Sequence, residues 1–171
     1  MMDKIYQLSL SELEKKAQAA EKSTKTIFNR LKSGNKNEID KLFHRLHDDI
    51  FDIESCLKCA NCCKTIGPTL YDTDIERMAK SLKMKSSVFI NQYIKKDEDN
   101  DYVFNTKPCP FLDENNYCKI YKYRPKACRE YPHTDRKRMY QILNLTLKNT
   151  YICPAVFAIV EELKNTYSNK L

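Results

Sequence analysis

Eight cysteines fall between residues 56 and 153 of this 171-residue chain, and four of them sit in the run C-L-K-C-A-N-C-C that begins at Cys56. Thiols at that density limit the folds and chemistries open to the chain more than any other feature. A disulfide framework belongs to small exported domains. This chain is longer than those, and its start, M-M-D-K-I-Y-Q-L-S-L, has no apolar core of a secretory signal. The expected setting is therefore the cytoplasm, where such clustering points to metal ligation or thiol chemistry. Buried, inert cysteines are common as single residues, but eight in one window call for more.

Composition removes several other classes. Glycine occurs only at Gly34 and Gly67, and there is no G-x-G-x-x-G or P-loop. Phosphate-cradling loops need backbone approaches that only glycine permits, so nucleotide folds are not expected. No apolar run is long enough to span a membrane.

Hydrophobic periodicity predicts a mainly α fold with a small β-hairpin, its helices packed around a cysteine-rich metal centre. Residues 1–54 read as a helical hairpin. Tyr6, Leu10, Leu13, Ala17, Ala20, Thr24, Ile27 and Leu31 alternate at spacings of four and three. Ser9-x-x-Glu12 predicts a capping box, and Ser33-Gly34-Asn35 a stop. A second helix follows, with Ile39, Leu42, Phe43, Leu46, Ile50 and Ile53 on one face.

Residues 55–171 read as the cysteine-cluster domain with a C-terminal helix, forming one compact unit with the hairpin. Thr73-x-x-Glu76 predicts a helix start, with Ile75, Met78, Ala79 and Leu82 inward, and Ser86 or Ser87 the next, with Phe89, Ile90, Tyr93 and Ile94 buried. That pair lacks a basic recognition face, which argues against a DNA-reading helix-turn-helix. Lys95–Asn100 reads as a charged loop and Tyr102–Phe104 as a strand. C-P-F-L, D-E-N-N, Y-C-K-I-Y reads as a hairpin that places Cys109 and Cys118 on adjoining strands. Pro125 is suited to open a helical turn carrying Cys128, and Pro154 a last helix with Cys153 at its N-terminal edge.

Spacing then defines the candidate ligands. Cys-x2-Cys lets two sulfurs wrap one ion from a tight turn; Cys56 to Cys59 meets it and Cys59 to Cys62 repeats it. The triple matches the ligand run of bacterial ferredoxins, yet the next cysteine, Cys63, is adjacent to Cys62 rather than further on. Neighbouring side chains diverge, so the pair hints at two centres, or at one centre and a free thiol. Candidate metal ligands are Cys56, Cys59, Cys62, Cys63, Cys109, Cys118, Cys128 and Cys153. An all-sulfur set suits an iron–sulfur cluster, placed first, or zinc, placed second.

The motifs C-L-K-C-A-N-C-C, C-P-F-L, Y-C-K-I-Y, R-P-K-A-C-R and E-Y-P together resemble the CxxCxxCC cysteine-cluster family, also called YkgJ-like, over about residues 56–132. The chain carries Asn61 and Lys64 where members often have glycine and arginine. The resemblance implies a zinc- or iron-chelating domain with ligands at Cys56, Cys59, Cys62, Cys63, Cys109, Cys118 and Cys128. It is grouped with flagellin lysine N-methylases, which implies cluster-dependent group transfer, such as methylation of a protein lysine, or redox activity as an alternative function.

Residues 119–140 hold eight basic side chains against Glu130 and Asp135, and Tyr117, Tyr121, Tyr123 and Tyr131 are interleaved with them. Such a stretch suits an anionic partner, RNA included. It equally suits charge compensation, since a four-thiolate zinc or [4Fe-4S] site carries a net charge of about −2. Arg136, Lys137 and Arg138 lie beyond the ligands and are the candidate contact for an acidic or anionic partner; nucleic acid ranks below a protein partner. His44 and His47 read as ordinary helix residues. His133 reads as a candidate acid–base or supporting residue.

Overall fold

The computed structural model describes residues 8–50 and 59–168. Its contacts divide the chain into two units, one from residues 1–56 and 132–171, the other from residues 57–131.

The first unit is all helix. Helix α1 (Leu10–Lys32) opens on the expected box: Ser9 N–H donates to Glu12 Oε2 at 2.8 Å, and Glu12 N–H to Ser9 Oγ at 3.3 Å. Such reciprocal capping satisfies two orphan donors of the first turn. Helix α2 (Lys36–Ile50) follows directly, its first free N–H group at Asn37 bound to Asn35 Oδ1 at 3.0 Å. The striped face is the buried one: Leu13, Ala17, Thr24, Ile27 and Leu31 on α1, and Ile39, Phe43, Leu46 and Ile50 on α2. Tyr6 and Ile53, expected on the same stripes, lie outside the described residues.

The partners of those faces come from far along the sequence. Ile27, Leu31, Phe43 and Leu46 share one core with Met139, Leu143, Val156, Ile159 and Leu163. Two helices within residues 143–168 complete it. Three side chains one turn apart on α2 hold the loop that leads to them. Asp40 accepts from the N–H groups of Arg138 (2.7 Å) and Met139 (2.8 Å). His44 Nε2 lies 3.0 Å from Arg136 O, and His47 Nδ1 2.8 Å from Thr134 Oγ1.

The second unit contains helix α3 (Asn61–Thr65), α4 (Asp72–Ser81), α5 (Ser86–Tyr93), strands β1 (Ile94–Lys96) and β2 (Tyr102–Phe104), and α6 (Lys126–Glu130). Ile75, Met78 and Ala79 of α4 and Phe89 of α5 are buried as the spacing predicts. Its core is aromatic: Phe89 and Phe111 stack at 6.0 Å between ring centroids, with Tyr93 and Phe104 tilted against Phe111 at 5.0 and 5.5 Å. The first unit ends with α7 (Leu143–Asn149) and α8 (Pro154–Ser168), the latter starting at the expected proline.

A small antiparallel sheet is present, but one segment earlier than expected. β1 pairs with β2 in the register Ile94↔Phe104, Lys95↔Val103, Lys96↔Tyr102. The charged residues 97–101 form its turn, closed by Asp97 Oδ1, which accepts from Asp99 N (3.1 Å) and Asp101 N (2.9 Å). Carboxylates that bond the backbone two residues on specify turns, and that local bond outweighed the polar composition that suggested an open loop. The expected hairpin through Cys109 and Cys118 is instead a tight turn with a single bridge, Leu112↔Cys118. Pro108 and Pro110 flank Cys109 and contribute no N–H to a ladder. Asp113 Oδ1 fixes the turn by accepting from Asn115 N (2.9 Å) and Tyr117 N (2.8 Å).

Candidate metal centre

Four segments of the second unit carry its described cysteines. Cys59 precedes Ala60, whose left-handed φ of 52° turns the chain into α3. Cys62 and Cys63 are successive residues of α3, and their sulfurs stand 4.0 Å apart. The expected divergence of this adjacent pair is not what the helix turn produces. Two ligands of one tetrahedral zinc, each bonded at about 2.3 Å, are separated by about 3.8 Å.

Backbone bonds then draw distant segments to this turn. Cys109 N–H donates to Cys63 O at 2.8 Å, and Leu112 N–H to Cys109 O at 3.0 Å. Leu112 bridges to Cys118, whose carbonyl accepts from Tyr121 N at 3.1 Å and starts the 3-10 turn Tyr121–Tyr123. Pro125 then precedes α6, which carries Cys128. Its first N–H, that of Lys126, is held by Asp74 Oδ1 of α4 at 3.0 Å.

Asp74 is the structural hub of this region and went unread in the sequence. Its carboxylate is 1% exposed. It accepts from Tyr71 N at 3.3 Å, from Lys126 N, and from the Arg77 guanidinium in a close ion pair. Arg77 in turn donates to Arg124 O at 3.0 Å and Tyr123 O at 3.4 Å. The signal was available, because acid and base three apart in a helix's first turns face each other. The expected Thr73–Glu76 box is not the one that forms: the helix starts at Asp72, and Asp74 is the side chain that reaches back.

The Cys128 thiol feels the charge of Cys63, Cys109 and Cys118, that of Cys109 feels Cys63 and Cys118, and that of Cys118 feels Cys63. Cys59 feels Cys63 as well. Burial, reinforced by these neighbours, pushes Cys109 up to about 11 and Cys128 up to about 12. Cys59 and Cys118 are raised, burial again the largest cause. Cys63 is lowered to about 7, first by the hydrogen bond from Cys62 and then by Lys64. Arg124 opposes the rise at Cys118 and Cys128. Among the described residues, no three His, Cys, Asp or Glu side chains already stand in coordination geometry. The thiols share a neighbourhood, half-buried and sulfur-only, which is the donor chemistry of a soft metal site.

The other expected residues are placed as follows. Cys56 lies outside the described residues. Cys153 belongs to the first unit, at the N-terminal edge of α8, and packs against that unit's core. His44 and His47 hold the 134–136 loop, and His133 has a left-handed φ of 67° in the same stretch. Arg136, Lys137 and Arg138 are exposed on that loop.

Half-buried thiols drawn from dispersed segments are a donor set of the kind cysteine-rich metal-chelating domains use. The chain belongs to the CxxCxxCC family, described as "Putative zinc- or iron-chelating domain", whose profile matches residues 55–154. That range encloses all eight cysteines. An "Uncharacterized protein MJ0661" of Methanocaldococcus jannaschii is 34% identical over 101 residues, 56% of this chain and 50% of its own length. The chain thus spans about half the length of this curated relative. No solved structure matches it. Among the described residues, no helix is long and apolar enough to cross a membrane.

Proposed function

We propose that this protein is a metal-binding protein of the cytoplasm whose cysteines hold an iron–sulfur cluster, with Cys63, Cys109, Cys118 and Cys128 as the principal ligands. The carrying observation is the gathering of those thiols from α3, the 109–118 turn and α6 of one unit: Cys109 N–H bonds Cys63 O, Leu112 bridges to Cys118, and Cys128 feels the charge of all three. Cys59 and Cys62 stand on the same turn as Cys63. Cys56 and Cys153 stay in the candidate set because the family's range includes them. Thiols in excess of the four that close a zinc site favour a cluster, as does the ferredoxin-like Cys-x2-Cys-x2-Cys run.

A bound cluster would supply one-electron chemistry or an iron site for group transfer. The chain's own contribution is to exclude water by half-burial and to set charge nearby through Lys64 and Arg124. Zinc is the second candidate, favoured by the 4.0 Å separation of the Cys62 and Cys63 sulfurs. Anaerobic purification followed by metal and labile-sulfide analysis decides between them. Iron and sulfide in equal amounts support the cluster, and zinc without sulfide supports the alternative. Less than about half an equivalent of any transition metal overturns both.

A further inference from the structure

The second unit has a surface that metal ligation does not explain. Between Tyr117 and Arg129 the chain has five cations and no carboxylate. Arg124 eases the ionisation of Cys118 and Cys128. Lys119, Lys122, Lys126 and Arg129 are exposed; Lys126 pairs with Glu130 at 3.7 Å and Arg129 donates to Arg124 O at 2.9 Å, both at the surface.

Aromatic rings accompany those cations. Tyr71 is 57% exposed, Tyr117 47%, Tyr121 36% and Tyr123 46%, four of the six most exposed large hydrophobic side chains among the described residues. The hub already described ties Tyr71 to the segment that carries Tyr121 and Tyr123. Tyr71 N–H and Lys126 N–H both bond the Asp74 carboxylate, while Arg77 holds the carbonyls of Tyr123 and Arg124. The Arg124 guanidinium lies over the Tyr121 ring, 3.8 Å from its centroid. The rings are thus carried on a fixed backbone rather than a loose loop.

We propose that this face, centred on Tyr71, Tyr121, Tyr123, Lys122 and Lys126, binds single-stranded nucleic acid, with unpaired bases stacked on the tyrosines and phosphates met by the lysines. Interleaved aromatics and cations are the recognition chemistry of unpaired strands, because every base has a face to stack and every phosphate a charge. An acidic peptide would use the cations and leave four exposed rings without a role. A second copy of the chain would bring the same cations face to face. The site is independent of which metal the cysteines hold.

Fluorescence anisotropy on the protein as purified tests this, with labelled oligothymidylate and oligouridylate, a duplex of the same length, and a poly-glutamate peptide. Binding to the single strands should exceed that to duplex and peptide. Its log affinity should fall with log salt at a slope of about −2 to −3, as three or four phosphate contacts require. The double variant Tyr121→Leu, Tyr123→Leu should bind at least about ten-fold more weakly at an unchanged salt slope. Lys122→Ala with Lys126→Ala should make the slope shallower by about 1.4. Metal content and circular dichroism of each variant, matched to the parent, show that the fold persists. Absence of single-strand binding at low salt overturns the proposal. So does equal binding of duplex or poly-glutamate, or full affinity in the leucine variant.

Discussion

Replacing Asp74 should loosen the segment that carries Cys128 while leaving the first unit intact. The carboxylate is almost fully buried, whereas the Arg77 side chain keeps 31% exposure. In Asp74→Ala, Lys126 N–H and Tyr71 N–H lose their acceptor, and Arg77 loses its counter-charge. Breaking a buried pair costs about 3–5 kcal/mol. Water reaching Arg77 places this case at the lower end, about 3 kcal/mol. Asp74→Asn retains one oxygen for Lys126 N–H but loses the charge, for about 2 kcal/mol. Because the chain forms two units, one global transition is not assured, and hydrogen exchange resolved by segment is the suitable assay. Protection should fall in residues 72–81 and 121–130 and hold in α1, α2 and α8. A change below about 1 kcal/mol in the alanine variant, or a uniform loss across the chain, would refute the hub assignment.

Metal-free protein should be most stable near pH 9. Folded Cys63, lowered to about 7, binds fewer protons than in the unfolded chain up to its ordinary value of 9.0, so stability rises across that interval. Cys109 and Cys128, raised to about 11 and about 12, keep protons that the unfolded chain has released, so stability falls above pH 9. Thermal unfolding across this range checks the sign, and a monotonic rise through pH 10 contradicts it. Zinc added at pH 7 should displace about 3.5 protons per ion from a four-thiolate site, since Cys63 is half ionised beforehand; one proton or fewer, read by calorimetry in two buffers, excludes that ligand set. Cys128→Ser should remove at least half of the bound metal, and an unchanged metal-to-protein ratio would exclude Cys128 as a ligand. Ser9→Ala should cost about 1 kcal/mol through the lost cap, and protection of the first turn of α1 measures it.

Legibility in the sequence followed the range of the interactions involved. The hairpin of α1 and α2 could be read because its caps and stripes are local: Ser9 and Glu12 are three residues apart, and Leu13, Ala17 and Thr24 repeat at helical spacing. Pro125 and Pro154 marked helix starts for the same reason. The small sheet was displaced because its register depends on one side chain, Asp97, bonding its own turn. That α2 packs against α8 and holds the 134–138 loop could not be read, since Asp40 and Arg138 are 98 residues apart. Spacing marked the cysteines as candidate donors. Their grouping was not legible, because it arises from the Cys109–Cys63 backbone bond and the Asp74–Lys126 bond, which no periodicity encodes.

The second unit therefore has two parts held by different forces. Helices α4 and α5 and the β1–β2 hairpin close on Phe89, Tyr93, Phe104 and Phe111, an apolar cluster that needs no ligand. Of the cysteine-bearing parts, the 109–118 turn joins that cluster through Phe111, with Cys109 and Cys118 packed against it, whereas α3 and α6 add no buried residue to it. Helices α3 and α6 are five residues each, far below the length at which a helix is stable alone. Ala60 begins α3 in a left-handed conformation, a cost that tertiary contacts must offset. What holds them is a set of single links: Cys109 N–H on Cys63 O, Lys126 N–H on Asp74, and Arg77 on the Arg124 carbonyl. Burial first and neighbouring thiols second disfavour ionisation of Cys109 and Cys128. A cation bound among them would reverse that sign, turning the least favourable electrostatics of the unit into its strongest cross-link. The same hub fixes the backbone of Tyr123 and Arg124 through Arg77.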